Sequence, residues 1–162
     1  MSKPIHVLFV CLGNICRSPT AEAVFVKMLE EQKLKDHFVV DSAGTAGHHE
    51  GEEADPRTIE HGRLRGYNVT SISRPVEHAV DFEKFDYIVA MDDDNHSDLM
   101  ELDPDKTYSA KIYKASQFCS VHKIKGVPDP FYGGPEGFNQ VIDIIEDVCK
   151  GLLGKIKIDN KL

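Results

Sequence analysis

Cys11 and Arg17 stand six positions apart in the segment Cys11-Leu12-Gly13-Asn14-Ile15-Cys16-Arg17-Ser18, which follows an apolar run and precedes a helical pattern. Backbone N–H groups of a strand-to-helix turn point inward, and the helix amino terminus adds partial positive charge. A loop of this kind can therefore encircle a tetrahedral oxyanion. Leu12 to Ser18 would supply the binding groups, and Gly13 and Asn14 tolerate the positive φ that a tight anion nest needs. Arg17 offers a fixed fork of donors that can grip two oxygens of a phosphoryl group. Cys11, at the strand end, would lie beneath the phosphorus, where the same donors favour the nucleophilic thiolate. Ser18 is placed to donate a hydrogen bond to that sulfur. A Cys-Arg spacing alone arises without chemistry; the strand end, Gly-Asn turn, arginine and Ser-Pro helix start together carry the reading. Neither G-x-x-x-x-G-K-[ST] nor G-x-G-x-x-G follows the first strand. Cys11 and Cys16 also lack a second ligand pair at zinc spacing.

The elements that must position this loop follow from hydrophobic pattern. Ile5 to Val10 reads as a buried strand, and Ala21, Val24, Phe25, Met28 and Leu29 recur at helical spacing, so a helix runs from Ser18 as cap to about Gln32. Phe38 to Asp41 is a second strand, Asp55-Pro56 opens a helix to about Arg65, and Tyr87 to Met91 is a third strand. An acidic helix or turn from Asp92 to about Leu102 follows, then a weak fourth strand at Lys111 to Tyr113 and a long amphipathic helix from Pro135 to about Leu153. Strands alternating with helices predict an open four-stranded parallel α/β sheet with helices on both faces. Ligands gather at the carboxyl ends of such strands, where the Cys11 loop lies.

The chain has 162 residues, 41% of them hydrophobic and 28% charged, which suits one domain over 1–162 with a loose tail after about residue 154. No apolar run is long enough to cross a bilayer and no secretory pattern opens the chain, so a cytoplasmic protein without membrane partners is expected. A net charge of -8 disfavours nucleic acid. Cys119 and Cys149 sit in apolar surroundings and read as core residues. Asp92 to Asp105 carries seven carboxylates and reads as a solvated face, except that Asp92 ends the third strand and could orient Arg17.

V-C-L-G-N-I-C-R-S-P at Val10 to Pro19, D-S-A-G-T at Asp41, A-D-P-R at Ala54, D-Y-I-V-A-M-D at Asp86 and V-P-D-P-F-Y-G-G at Val127 resemble, in order, the motifs of the low-molecular-weight protein tyrosine phosphatases. The resemblance spans roughly residues 4 to 154. It implies a flavodoxin-like sheet in strand order 2-1-3-4, no metal or other cofactor, and a cysteinyl-phosphate intermediate on Cys11. Asp129-Pro130 reads by itself as a turn. The resemblance gives Asp129 the general acid role, with the resulting carboxylate activating water in the second half-reaction.

This sequence departs from the family pattern at three positions. His48 takes the place of an aromatic residue after the second strand, Phe131 that of the first ring of the D-P-Y-Y pair, and Ser71 that of a histidine that braces the loop; Tyr132 keeps its identity. His48, Phe131 and Tyr132 are expected to wall the substrate pocket, although His48 and His49 also suit plain surface histidines. A thiolate nucleophile invites peroxide, and Cys16 is expected to trap the oxidised Cys11 as a disulfide, as the resemblance also implies. The implied partners are phosphotyrosine proteins or small aryl phosphates, for a monomer or weak dimer. Three other readings use the same loop. An arsenate reductase needs further cysteines, and none lies between Cys16 and Cys119. Phosphoarginine phosphatases typically carry threonine where Ile15 stands. A non-catalytic phosphate-binding module would not need Asp129.

Overall fold

The computed structural model describes residues 3–131 and 133–162. Four strands, β1 (Ile5–Cys11), β2 (Phe38–Gly44), β3 (Tyr87–Ala90) and β4 (Ile112–Lys114), form one parallel sheet in the order β2-β1-β3-β4. Around it lie α1 (Arg17–Glu31), α2 (Pro56–Leu64), α3 (His78–Lys84), α4 (Asp93–Glu101) and α5 (Pro135–Asn160). The open α/β sheet and its strand order are as expected.

Successive β1 side chains point to opposite faces, and both faces are buried. Val7, Phe9 and Cys11 join Phe25 and Leu29 of α1 and Ile145, Val148 and Leu152 of α5 in one core. Leu8 and Val10 join Phe82 of α3 and Leu99 of α4 in the other. Burial on both sides explains why β1 reads as a continuous apolar run rather than an alternating one. The chain steps from β1 to β2 in one direction and from β2 to β3 in the other. Right-handed crossovers therefore put α1 and α3 on opposite faces and leave a crevice at the carboxyl end of β1. Cys11 pairs there with Gly44 of β2, and Val10 with Ala90 of β3.

Several boundaries differ from the sequence reading. Helix α1 begins at Arg17, with Cys16 in the cap position and no side-chain cap, because the Ser18 hydroxyl is engaged inside the loop. Strand β2 runs on to Gly44, where an added Cβ would stand 2.7 Å from the Leu12 carbonyl oxygen, so only glycine lets β2 lie against the loop. Helix α3 escaped detection: it has seven residues, and of its apolar pair Phe82 is buried while Val80 is exposed. The loose tail expected after about residue 154 is helical through Asn160. Ile156 is fully buried there, the Tyr87 hydroxyl donates to Asp159 at 2.8 Å, and Asn160 Nδ2 donates to the Tyr87 oxygen at 3.2 Å. Among the described residues no helix is long and apolar enough to cross a membrane.

Candidate active site

Strand β1 delivers Cys11 to the carboxyl end of the sheet and α1 takes up Arg17, so residues 12–16 close a tight loop between them. The left-handed turn falls on Asn14, at φ 56°; Gly13 does not adopt it. Glycine at 13 supplies room instead, since a Cβ there would stand 3.1 Å from His49 Cδ2.

A buried chain of hydrogen bonds holds the loop in shape. Asn14 Nδ2 donates to Ser18 Oγ at 2.8 Å and to Ser42 Oγ at 3.0 Å, while Asn14 Oδ1 accepts the Arg74 N–H at 3.0 Å. Ser42 in turn donates to Glu22 Oε1 at 2.6 Å. Because Ser18 Oγ accepts from Asn14, its own proton is free for Cys11 Sγ, 3.0 Å away, which is nearer than its other acceptor, the Ala43 carbonyl, at 3.4 Å. Burial pushes the Glu22 carboxyl up to about 7, with Asp41 adding to the rise and the Ser42 hydroxyl and Arg74 opposing it. Ser73 donates to the Gly13 carbonyl at 3.0 Å. Ser73 and Arg74 thus brace the loop, whereas the side chain of Ser71, read from the sequence as standing in place of the family's bracing histidine, makes no hydrogen bond to it. Among the described residues Ser71 Oγ is itself buried without a hydrogen-bond partner.

Arg17 is 3% exposed. Its Nη1 donates to Asp92 Oδ2 at 2.6 Å and to the Val127 carbonyl at 3.1 Å, and its Nη2 stands 3.6 Å from Asp129 Oδ2. Burial works against the guanidinium charge, but Cys11, Asp92 and Asp129 outweigh it and hold Arg17 firmly protonated. Asp92 also caps α4 by accepting the Asn95 N–H at 2.7 Å, so one carboxylate fixes both the helix and the arginine. Asp129 folds as the sequence suggests, Oδ1 accepting the Phe131 N–H at 3.0 Å in a turn, which leaves Oδ2 toward Arg17.

One pocket is lined by Cys11, Leu12, Gly13, Ile15, Cys16, Arg17, His48, His49, Asp129 and Phe131. His48 and Phe131 are among these lining residues, and His49 joins them. Its ring lies 6.3 Å from that of Phe131, and its Nδ1 is 2.5 Å from Glu52 Oε2. Tyr132 lies outside the described residues. Cys16 is buried against Ile15 and Phe138 while sharing the pocket with Cys11. Burial, with Asp55, Cys11 and Asp129 adding, pushes its thiol up to about 12. Cys149 packs in the core away from this pocket, and Cys119 is half-buried beside the same core. The sequence reading missed Ser42, Ser73 and Arg74, all brought to the loop from distant segments; the D-S-A-G and S-R-P runs that carry them were the only available signals.

This arrangement places a cysteine sulfur, a protonated guanidinium and a carboxyl group around one concave site. Residues 6–162 match the family model described as low molecular weight phosphotyrosine protein phosphatase. A low molecular weight phosphotyrosine protein phosphatase of Schizosaccharomyces pombe is 40% identical over 157 residues, covering 94% of this chain and 99% of that one. The structure of a protein tyrosine phosphatase from Entamoeba histolytica, with Hepes in its active site, is 51% identical. It superposes with a TM-score of 0.92 over 98% of this chain and 99% of the other. A Drosophila arginine phosphatase is similar at 32% identity and a TM-score of 0.86, over 93% and 97% of the two chains.

Proposed function

The chain belongs to the low molecular weight phosphotyrosine protein phosphatases, and from that membership we propose how its own residues hydrolyse an aryl phosphate. The phosphoryl group sits in the 12–18 loop, its oxygens held by backbone N–H groups and the Arg17 fork. The Cys11 thiolate attacks phosphorus in line; the S–P bond forms as the P–O bond to the phenol breaks, and Asp129 passes its proton to the departing oxygen. Asp129, now a carboxylate, takes a proton from water as that water attacks the cysteinyl phosphate. Inorganic phosphate leaves and the thiolate is restored. Arg17 carries charge relief in both steps, and Asp92 keeps its fork in register.

The observation that carries this reading is that Cys11, Arg17 and Asp129 line the same pocket, with Asp129 Oδ2 3.6 Å from Arg17 Nη2. Phe131, His48 and His49 around the entrance suit an aromatic ring, which favours phosphotyrosine over phosphoarginine. Phosphotyrosine-bearing proteins or small aryl phosphates are the substrates we assign, without nucleic acid, and with the chain a monomer or weak dimer in the cytoplasm. Under peroxide, the Cys11 sulfenic acid is attacked by Cys16, hydroxide leaves as water, and a disulfide protects the nucleophile.

The test is a pair of substitutions. Cys11→Ser abolishes turnover of 4-nitrophenyl phosphate while phosphate still binds. Asp129→Asn slows esters of poor leaving groups by about 10²- to 10⁴-fold and those of good ones much less, since only the former need the proton. Activity surviving in Cys11→Ser, or an equal loss across leaving groups in Asp129→Asn, removes the corresponding assignment.

A further inference from the structure

Arg57 is the second residue of α2, and nothing in the phosphoryl-transfer scheme above uses it. Its guanidinium donates to both oxygens of Asp55, Nε at 3.1 Å and Nη2 at 2.8 Å, and Nη2 also donates to the Phe131 carbonyl at 2.9 Å. The guanidinium carbon lies 4.8 Å from the centre of the Phe138 ring and 5.4 Å from that of Phe131. Asp55 is buried, caps α2 by accepting the Arg57 N–H at 2.8 Å, and donates its own N–H to the Ile15 carbonyl at 2.9 Å. Ile15 belongs to the phosphate loop. Phe131 belongs to the turn of Asp129, whose Oδ1 accepts the Phe131 N–H. A continuous path therefore runs from Ile15 through Asp55 and Arg57 to the segment that carries the acid.

We propose that Arg57 is a positioning residue for proton transfer: it clasps the Asp129 turn to the phosphate loop, so that the carboxyl stays within reach of the leaving oxygen. An exposed ion pair contributes little by itself. This one differs, because Asp55 is buried and fixed by a helix cap, so the fork on it is anchored at one end. The second Nη2 N–H points to a main-chain carbonyl, and two aromatic rings set the plane. Lysine has neither the fork nor the plane. Arg17 ties the same two segments at Val127 and Asp129 from inside the pocket; Arg57 does so from outside. Removing the outer tie leaves phosphate binding unchanged and lets the acid drift. Misplacement of a reacting group by about an ångström costs up to about 10²-fold in rate.

The inference rests on Asp129 as the proton donor, so the experiment carries Asp129→Asn beside it. Arg57→Ala is expected to lower kcat on phenyl phosphate by roughly 10-fold, to lower it on 4-nitrophenyl phosphate by no more than about 2-fold, and to leave competitive inhibition by inorganic phosphate unchanged. Arg57→Lys is expected to behave like Arg57→Ala rather than like the parent. In the Asp129→Asn background, Arg57→Ala adds no further leaving-group dependence. Equal losses on both esters, a matching loss of phosphate affinity, or full activity of Arg57→Lys would overturn the clasp. If Asp129→Asn shows no leaving-group dependence, the acid assignment falls and the clasp with it; if Asp129→Asn shows it and Arg57→Ala does not, the clasp alone falls. Should Arg57→Ala fail to fold, Arg57→Gln, which keeps an amide donor on the exposed surface, is read against the same criteria.

Discussion

Cys16 and Cys11 share one loop and one pocket, yet their surroundings assign them different chemistry. The Cys11 sulfur faces the Ser18 hydroxyl, whereas Cys16 is packed against Ile15 and Phe138 with its thiol pushed up to about 12. Disulfide closure needs the Cys16 thiolate, which is scarce at neutral pH. The rate at which the peroxide-oxidised enzyme becomes resistant to further oxidation should therefore rise about tenfold for each pH unit above 7. Rapid mixing with peroxide, followed by quenching and mass determination of the disulfide, measures that rate. A rate independent of pH, or a disulfide that forms equally fast in Cys16→Ser, removes Cys16 as the resolving thiol. At this scale the sequence was most legible where the chemistry is local. Cys11, Arg17 and Ser18 lie in one eight-residue segment, and the strand end and helix start around them are read from the same stretch. Ser42, Ser73, Arg74 and Arg57 reach the site through tertiary contacts over 28 to 74 residues of sequence. Spacing carries no trace of such contacts, which is also why Ser73 was not recognised as a brace of the loop.

After a 3₁₀ turn at Ala115–Phe118, the described residues between β4 and α5 form no helix or strand, but the segment is fastened at two points. Asp147 of α5 accepts the N–H groups of Ser120, Val121 and His122 at 2.8 to 3.0 Å, and Val127 donates to the Met91 carbonyl at 2.8 Å. Gly126 lies between these points and passes directly over the end of β3. An added Cβ would stand 2.8 Å from Asp92 Cβ and 3.0 Å from its Cα, with neither atom free to move, since Asp92 is bonded to Arg17 and to the start of α4. Gly126→Ala should therefore lift the segment, break the Val127 contacts with Met91 and Arg17, and carry Asp129 away from the pocket. We expect a loss of about 1 to 3 kcal/mol in stability and of roughly 10- to 100-fold in kcat, measured by urea unfolding and phosphatase assay. A variant with parental kcat would show that the close approach at Gly126 has no part in placing the acid. Element boundaries were legible where a helix or strand is long or strongly apolar, as in β1 and the start of α5. The last turns of α5 were not, because a run rich in lysine reads as solvent until Ile156 meets the core and Asp159 and Asn160 meet Tyr87.

The pH dependence of stability belongs to the whole chain, and two carboxyls, Glu22 partly buried and Asp147 buried, shape it in opposite ways. Glu22 has its carboxyl raised from the usual 4.5 to about 7, so between those values the folded protein holds a proton that the unfolded chain has released. Stability then falls as pH rises through that window, by about 3 kcal/mol at most from this group. Asp147 works the other way: burial favours its neutral form, but the N–H groups of Ser120, Val121 and His122 outweigh this and hold it well below the usual carboxylate range. Its contribution is complete above the unfolded value and is lost as pH falls below about 4. The net charge of -8 adds a general self-repulsion that also eases toward acid, so the parent's curve alone does not isolate Glu22. Glu22→Gln does, since glutamine can still accept the Ser42 hydroxyl and carries no charge at any pH. The parent should be most stable near pH 5 and lose stability toward pH 8, while Glu22→Gln should decline less over the same range, the difference between the two growing from pH 5 to pH 7 and then levelling. Urea midpoints at half-unit pH intervals supply that difference directly. A gap that stays constant from pH 5 to pH 8 would mean that Glu22 is ionised throughout, and that the chain from Glu22 through Ser42 and Asn14 to the nucleophile is held by a permanent charge.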